Sequence, residues 1–340
     1  MLIGIVHNRP VPAEEDFGTA SQDVLTQVAA VEAALDRLGH QTVRLVFDGD
    51  PGSLLLSLRA LRVGAVFNLC ETVNEDPRLA GHPAALFELL NLPFSGSSAM
   101  GLMLSTDKVI SKHLLKAAGI RTPDFAVYEG ETTIGPVDLR FPVIVKPRYQ
   151  DASIGIDQES IFADPGELSS KILEIFNRFG PLLIEEFVDG REFNLSLLGD
   201  ARPEVLPLAE IDFSHLPDGL HRIVGYRAKW DPETVEYRGT PRTFLHDVPW
   251  GLTAEMTGAA QACFHLLSLR DYVRIDIRLD RRGLPYILEV NANPCLSPDA
   301  GFAAAAQAAG LSYTDLIGRI LGFVLRRTAL HENSAAAARG

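Results

Sequence analysis

Residues 271–294, DYVRIDIRLDRRGLPYILEVNANP, hold the densest set of groups that could do chemistry. Side chains alternate across a strand. A tight turn of two or four residues centred on Arg282-Gly283 puts Asp276 opposite Glu289 and Arg274 opposite Asn291. One face then carries Ile275, Ile277, Leu279, Tyr286, Leu288 and Val290 toward a core. The other carries Arg274, Asp276, Arg278, Asp280, Glu289 and Asn291. Directly opposed carboxylates have Cβ atoms only ~5 Å apart and repel unless a cation lies between them. An oxygen-only donor set, Asp276, Glu289 and Asn291, suits Mg²⁺ or Mn²⁺, which keep water and phosphate oxygens in their shell. The plainer alternative is a solvated face laced by cross-strand salt bridges.

Lys146 ends an apolar run, Phe-Pro-Val-Ile-Val-Lys-Pro, just before a loop of small and polar residues, 148–155. Such a lysine and the loop amides can surround phosphates; a surface lysine at a strand end is the competing reading. Lys108 by itself reads as a solvated helix residue, and Glu185-Glu186-Phe187-Val188 as an ordinary strand end. Ser105 and Lys108 fit S-x-x-K, but the S-D-N and K-T-G partners of serine acyl-enzymes are missing. The chain also lacks G-x-x-x-x-G-K-[ST], H-E-x-x-H and G-x-S-x-G.

Elements must position these groups. The runs Leu2–Val6, Thr42–Phe47 and Ala65–Leu69 read as strands that alternate with helices over Ala20–Leu38 and Ala80–Leu90, the pattern of a mainly parallel sheet. A helix over residues 105–122 starts at Ser105 or Thr106 and ends at Gly119. Strands follow at Phe141–Lys146 and Leu182–Phe187, with a helix over Glu167–Phe179 between them. Arg191–Leu198 and Pro203–Ile211 suggest an antiparallel pair. Residues 212–250 are rich in Pro, Gly and charge, as in a lid or disordered loop. Helices are expected at Ala254–Leu267, Ala300–Ala309 and Thr314–Leu325.

The 340 residues suffice for two or three domains. A net charge of −13 argues against a nucleic-acid partner. No uncharged apolar run of ~18 residues occurs, so no membrane span is expected. Three scattered cysteines, Cys70, Cys263 and Cys295, argue against a disulfide framework and fit a reducing cytoplasm.

Taken in order, these segments resemble the ATP-grasp superfamily, in its D-alanine–D-alanine ligase-like branch. The resemblance runs from about residue 65 to 295. It rests on Asn74-Glu75-Asp76, Pro93 to Ser97, Thr106-Asp107-Lys108, the 141–147 strand with Ser153-Ile-Gly155-Ile, the 183–194 strand, Tyr226-Arg-Ala-Lys229-Trp and the metal hairpin. It implies that Lys108 and Lys146 contact nucleotide phosphates, and that Ala152, Ser153 and Gly155 lie in the loop covering them. Glu185, Glu186 and the Val188 backbone would hold adenine, and Glu192 the ribose. Lys229 would reach the γ-phosphate from a mobile loop. Asp276, Glu289 and Asn291 would bind two Mg²⁺, and Arg274 would polarise the reacting carbonyl.

The expected fold is α/β, becoming α+β in the ATP-binding half. An open preATP-grasp domain would span 1–100, a central subdomain 101–180 and a C-terminal subdomain 181–330, before a frayed tail, 331–340. The implied activity is ATP-dependent carboxylate–amine ligation through an acyl phosphate, on amino acids or a short peptide. A homodimer is compatible with it. D-alanine–D-alanine ligation itself and a non-catalytic ATP-binding module are the alternatives. The substrate side departs from the family. Cys295 stands where the family has glycine, and Ala300 stands near its carboxylate-reading serine, with Ser297 a nearby hydroxyl. The first-substrate grip is matched only loosely, by Glu14 and Glu15.

Overall fold

The computed structural model describes residues 1–131, 138–244 and 247–337. Three sheets organise it. Leu2–Asn8 lies between Gln41–Phe47 and Ala65–Leu69 in a parallel three-stranded sheet. The helix Gly18–Arg37 packs its Val24, Val28, Val31 and Leu35 stripe against this sheet, together with the C-terminal helix Tyr313–Ala337. That i, i+4, i+7 stripe is what buries an amphipathic helix on a sheet.

A four-stranded antiparallel sheet follows, in the order Phe125–Tyr128, Leu182–Glu186, Val143–Pro147, Ile161–Phe162. The helix Pro165–Phe179 covers it, capped by Asp164. The third sheet has six strands. Glu192–Gly199 and Asp271–Leu279 lie at its centre, with Pro285–Asn291 on one edge and Ala209–Ile211 and Arg242–Phe244 toward the other. It is antiparallel, and the helix Trp250–Leu266 buries one face.

Several sequence expectations need correction. Leu182–Glu186 pairs within the central sheet, so that unit extends past residue 180. Asp107, rather than Ser105 or Thr106, caps the helix Lys108–Ala117, accepting from the Val109 and Ile110 amides. Ala99–Thr106 forms a separate helix before it. The segment 212–250 is not structureless. It holds helices Tyr226–Trp230 and Val235–Arg238 and the strand Arg242–Phe244, while 245–246 lie outside the described residues. The last helix continues through Ala337, and the rest of the expected frayed tail, 338–340, lies outside the described residues. Among the described residues no single helix is long and apolar enough to cross a membrane.

Candidate active site

The metal-type hairpin forms with the expected opposition: Arg274 faces Asn291 and Asp276 faces Glu289. Below that point the register shifts, and Ile277 pairs with Ile287. Leu288 is the extra residue of a bulge, which reverses strand parity beyond it. Ile287, not Leu288, therefore joins Val290 in the core. Leu288 turns to the cavity and Tyr286 is only half-buried, so both leave the core face expected from simple alternation.

The polar face lines a cavity of about 550 Å³ between the central and C-terminal sheets. Lys146, Ala152, Ser153, Glu185, Glu186, Val188, Glu192, Lys229, Arg274, Asp276, Glu289, Asn291, Cys295, Ser297 and Ala300 all border it. Four expected residues do not. Glu14 and Glu15 are exposed in the loop before the first helix, away from the cavity. Gly155 serves the loop turn: its φ is +74°, and a Cβ would stand 2.6 Å from Pro147 Cγ. Lys108 is buried, with Nζ 2.9 Å from Glu289 and 3.1 Å from Asp151.

Each wall is held by its own network. Glu185 is fully buried and ion-paired to Lys112 and to Lys146, the latter at 2.6 Å. Burial alone would raise the Glu185 carboxyl, but the two ammonium groups outweigh it and hold it below its usual range. Glu186 takes the Arg140 guanidinium at the rim. Arg278 is buried and donates to Glu192 at 2.8 Å and to the Val188 carbonyl at 2.9 Å, which fixes both edges of the far pocket.

Around the hairpin, Arg274 grips Asp276 through two hydrogen bonds of 2.8 and 2.9 Å. Asn194 and Asn291 donate to the same carboxylate. Burial works to raise Glu289, but Lys108 prevails and brings it down to about 2. It is a permanent anion across the physiological range. Two carboxylates and a carboxamide oxygen, opposed across one strand pair, fit a hard divalent cation.

The segment from 224 to 230 closes over the phosphate-type loop. Ser153 donates to the Val224 carbonyl, Trp230 Nε1 to the Ala152 carbonyl and the Tyr226 amide to the Ile156 carbonyl. Gly225 permits that approach, because a Cβ there would meet the Ile156 carbonyl oxygen at 2.8 Å. Tyr226 also packs edge-on against Phe17 of the N-terminal domain, with centroids 5.0 Å apart. Lys229 is delivered into the cavity and makes no ion pair among the described residues. Burial, then nearby Arg274, lowers its pKa.

Sequence reasoning missed several contributors. Asn194 shares a strand face with Glu192, two residues away, so alternation could have found it. Lys112 stands one helical turn after Lys108 and looks like a solvated face. Asp23 and Gln27 sit at i, i+4 on the first helix. Gln27 is 2% exposed within the apolar stripe, and that misfit was the available signal. Asp23 accepts from Cys295 Sγ at 2.9 Å and Ser297 Oγ at 2.8 Å, so these two side chains anchor the loop after the hairpin. Cys295 is not among the described residues with positive φ, so its side chain is accommodated without backbone strain. Glu71 lies just past the strand Ala65–Leu69, and that strand end, Asn68–Glu71, is where the sequence already places the ligand crevice of an open α/β sheet.

The clasp of two antiparallel sheets around this charged cavity is the ATP-grasp arrangement of a carboxylate–amine ligase. The family described as D-ala D-ala ligase C-terminus matches residues 114–322. The D-alanine–D-alanine ligase of Moorella thermoacetica is 30% identical over 306 residues, covering 87% of this chain and 93% of that protein. An uncharacterized protein of Sinorhizobium fredii, y4sG, is 36% identical over 306 residues, covering 88% and 87%. The crystal structure of D-alanine–D-alanine ligase from Bacillus anthracis complexed with ATP superposes with a TM-score of 0.76. It is 23% identical and covers 97% of this chain and 99% of that one. The chain belongs to the D-alanine–D-alanine ligase family, whose members are ATP-dependent ligases that form a peptide bond.

Proposed function

We propose that this protein joins the carboxylate of one amino acid or short peptide to the amine of another, with Mg-ATP as the energy source. One observation carries the reading: Lys146, Lys229, Arg274 and the triad Asp276, Glu289 and Asn291 converge on one cavity. That set suits a triphosphate and the carbonyl it activates.

ATP enters as a substrate. Its adenine would lie between the Glu186–Val188 edge and Leu288, with Glu192 toward the ribose. Lys146 and Lys229 would neutralise phosphate charge, and the Ser153 loop would close over it. Asp276, Glu289 and Asn291 would hold Mg²⁺, which offsets negative charge as the phosphoryl group moves. The donor carboxylate attacks the γ-phosphorus, and ADP leaves with the bridging oxygen. The amine then attacks the acyl carbon and phosphate departs. Arg274 stabilises the oxyanion, a role worth on the order of 3 kcal/mol for one donor. No side-chain nucleophile is needed.

D-alanine itself is expected to be a poor substrate pair, because Cys295, Ala300 and Asp299 alter the side that reads amino acids. The test gives purified protein Mg-ATP and a panel of L- and D-amino acids and dipeptides. Phosphate release is followed, and products are identified by mass. Absence of phosphate release with every member would sink the ligase reading. A kcat/KM for D-alanine above all others would establish the simpler D-alanine–D-alanine assignment.

A further inference from the structure

A second cavity, of about 410 Å³, adjoins the nucleotide cavity on the side of the N-terminal domain. The two share Asp23, Lys229, Arg274, Asn291 and Cys295, so they meet at the reacting centre. With ATP in the first cavity, a donor carboxylate at Arg274 has this second space for the rest of its molecule. One stretch of its wall is apolar, through Val11, Phe17, Ala20, Leu102, Phe179 and Trp230, and the rest is polar, with Asp16, Glu75, Gln150, Asp151 and Arg178 among it. Such a volume is of the size that takes ligands well beyond alanine.

Glu71 stands in that wall, at the end of the strand Ala65–Leu69. Its backbone amide donates to Asn8 Oδ1 at 3.1 Å, and its Oε1 accepts from Gln27 Nε2 at 2.8 Å. Gln27 is itself fixed, since its Oε1 accepts from the Leu296 amide. The other carboxylate oxygen of Glu71 makes no hydrogen bond among the described residues. Asp23 adds a second carboxylate on the same side, already holding Cys295 and Ser297.

We propose that the donor substrate is an amino acid with a free α-amino group and an apolar side chain larger than methyl. It is seated in this second cavity with its ammonium on Glu71. The proposal rests on the ligase reading and narrows it to a donor class. Burial, then Asp23 against the opposing Gln27 hydrogen bond, raises Glu71 to about 7. A group so poised gains most from a cationic ligand. Each methylene buried against the apolar wall adds about fourfold in affinity.

The experiment isolates the donor step. Hydroxylamine replaces the amine substrate, so each amino acid that forms an acyl phosphate yields its hydroxamate, identified by mass. The panel holds both enantiomers of alanine, leucine, phenylalanine, glutamate and lysine, with N-acetyl-leucine and the 2-hydroxy analogue of leucine. Leucine or phenylalanine, in one enantiomer, should exceed alanine at least tenfold in kcat/KM, and the two blocked analogues should fall about 100-fold below leucine. Glu71→Gln should raise the donor KM about 30-fold and narrow the gap to the hydroxy analogue, with the KM for ATP unchanged. Stabilisation of that variant by Mg-ATP against heat checks that its nucleotide site is folded. Alanine ahead of every apolar amino acid, or the hydroxy analogue matching leucine, overturns the donor assignment while the ligase reading stands. No hydroxamate and no phosphate from any amino acid would remove both.

Discussion

The nucleotide side and the amino-acid side of the reacting centre are built by different means. On the nucleotide side, functional groups sit on strands, at spacings set by alternation and cross-strand pairing. Asp276, Glu289, Asn291 and Arg274 meet because two strands 15 residues apart at Asn291–Asp276 lie side by side. On the amino-acid side, Asp23 from the first helix meets Ser297 across 274 residues, and Glu71 comes from a loop. On the proposed function, rigid sheets would hold the phosphoryl-transfer groups, and a junction of loops and a helix would read the substrate. Chemistry common to a family fits on the former, and substrate choice can change on the latter without disturbing it.

The largest expected effect lies on the strand-built side. Glu289→Gln should lower Mg-dependent phosphate release by at least about 100-fold, because the triad then holds the cation with one carboxylate. Circular dichroism should be unchanged. Near-normal turnover in this variant would move the metal away from the hairpin, and with it the contrast between the two sides.

Next comes the buried support beneath Lys146. Lys112 is 2% exposed, pairs with Glu185 and donates to Thr122 Oγ1 at 2.7 Å. Lys112→Met leaves a buried carboxylate with Lys146 as its remaining ammonium partner. Breaking such a pair costs about 3 kcal/mol, so the melting temperature should fall by several degrees and the KM for ATP should rise. An unchanged melting curve would mean that Lys146 alone satisfies Glu185. Smaller again is the lid contact. Tyr226→Ala removes the edge-on packing against Phe17 and should raise the donor KM about tenfold, with less effect on ATP binding. It should also speed proteolysis between residues 212 and 250 in the absence of nucleotide. Equal effects on donor and ATP would place Tyr226 on the nucleotide side.

This contrast explains what could be read from the chain. The parallel N-terminal sheet, the antiparallel pairing of Glu192–Gly199 with the segment after it, the helix at Gly18–Arg37 and the Asp276–Glu289 opposition all follow from local periodicity. Lys146, Ser153 and Lys229 became legible as a set through their order along the chain. The bulge at Leu288 was hidden, since one extra residue leaves composition unchanged while reversing every side chain beyond it. Glu14 and Glu15 enter through a loose resemblance to the family's first-substrate segment, yet the exposed loop leaves them in solvent. Asp23 looked ordinary because its partners are distant in sequence, whereas the end of the strand Ala65–Leu69 already pointed the Asn68–Glu71 segment at the crevice.

The smallest predicted effect concerns Glu71 in the folded protein without substrate. Its carboxyl titrates near 7 when folded, against an ordinary value of 4.5. Below pH 4.5 both folded and unfolded chains hold the proton, and this group adds no pH dependence. Between 4.5 and 7 the folded chain keeps a proton that the unfolded chain has lost, so stability falls as pH rises. Above 7 the penalty is complete, because the folded chain must hold a buried anion faced by Asp23 and Asp151, with the Gln27 hydrogen bond and Lys229 in opposition. Glu71→Gln removes that penalty, on the order of 1–3 kcal/mol at pH 8. The variant should therefore melt a few degrees above the parent at pH 8, and with it at pH 4.5. A bound donor supplies an ammonium to the parent, so saturating amino acid should shrink the difference at pH 8. If the two proteins melt together at both pH values, Glu71 is not held against ionisation. The amino-acid side would then be as electrostatically relaxed as any solvated loop.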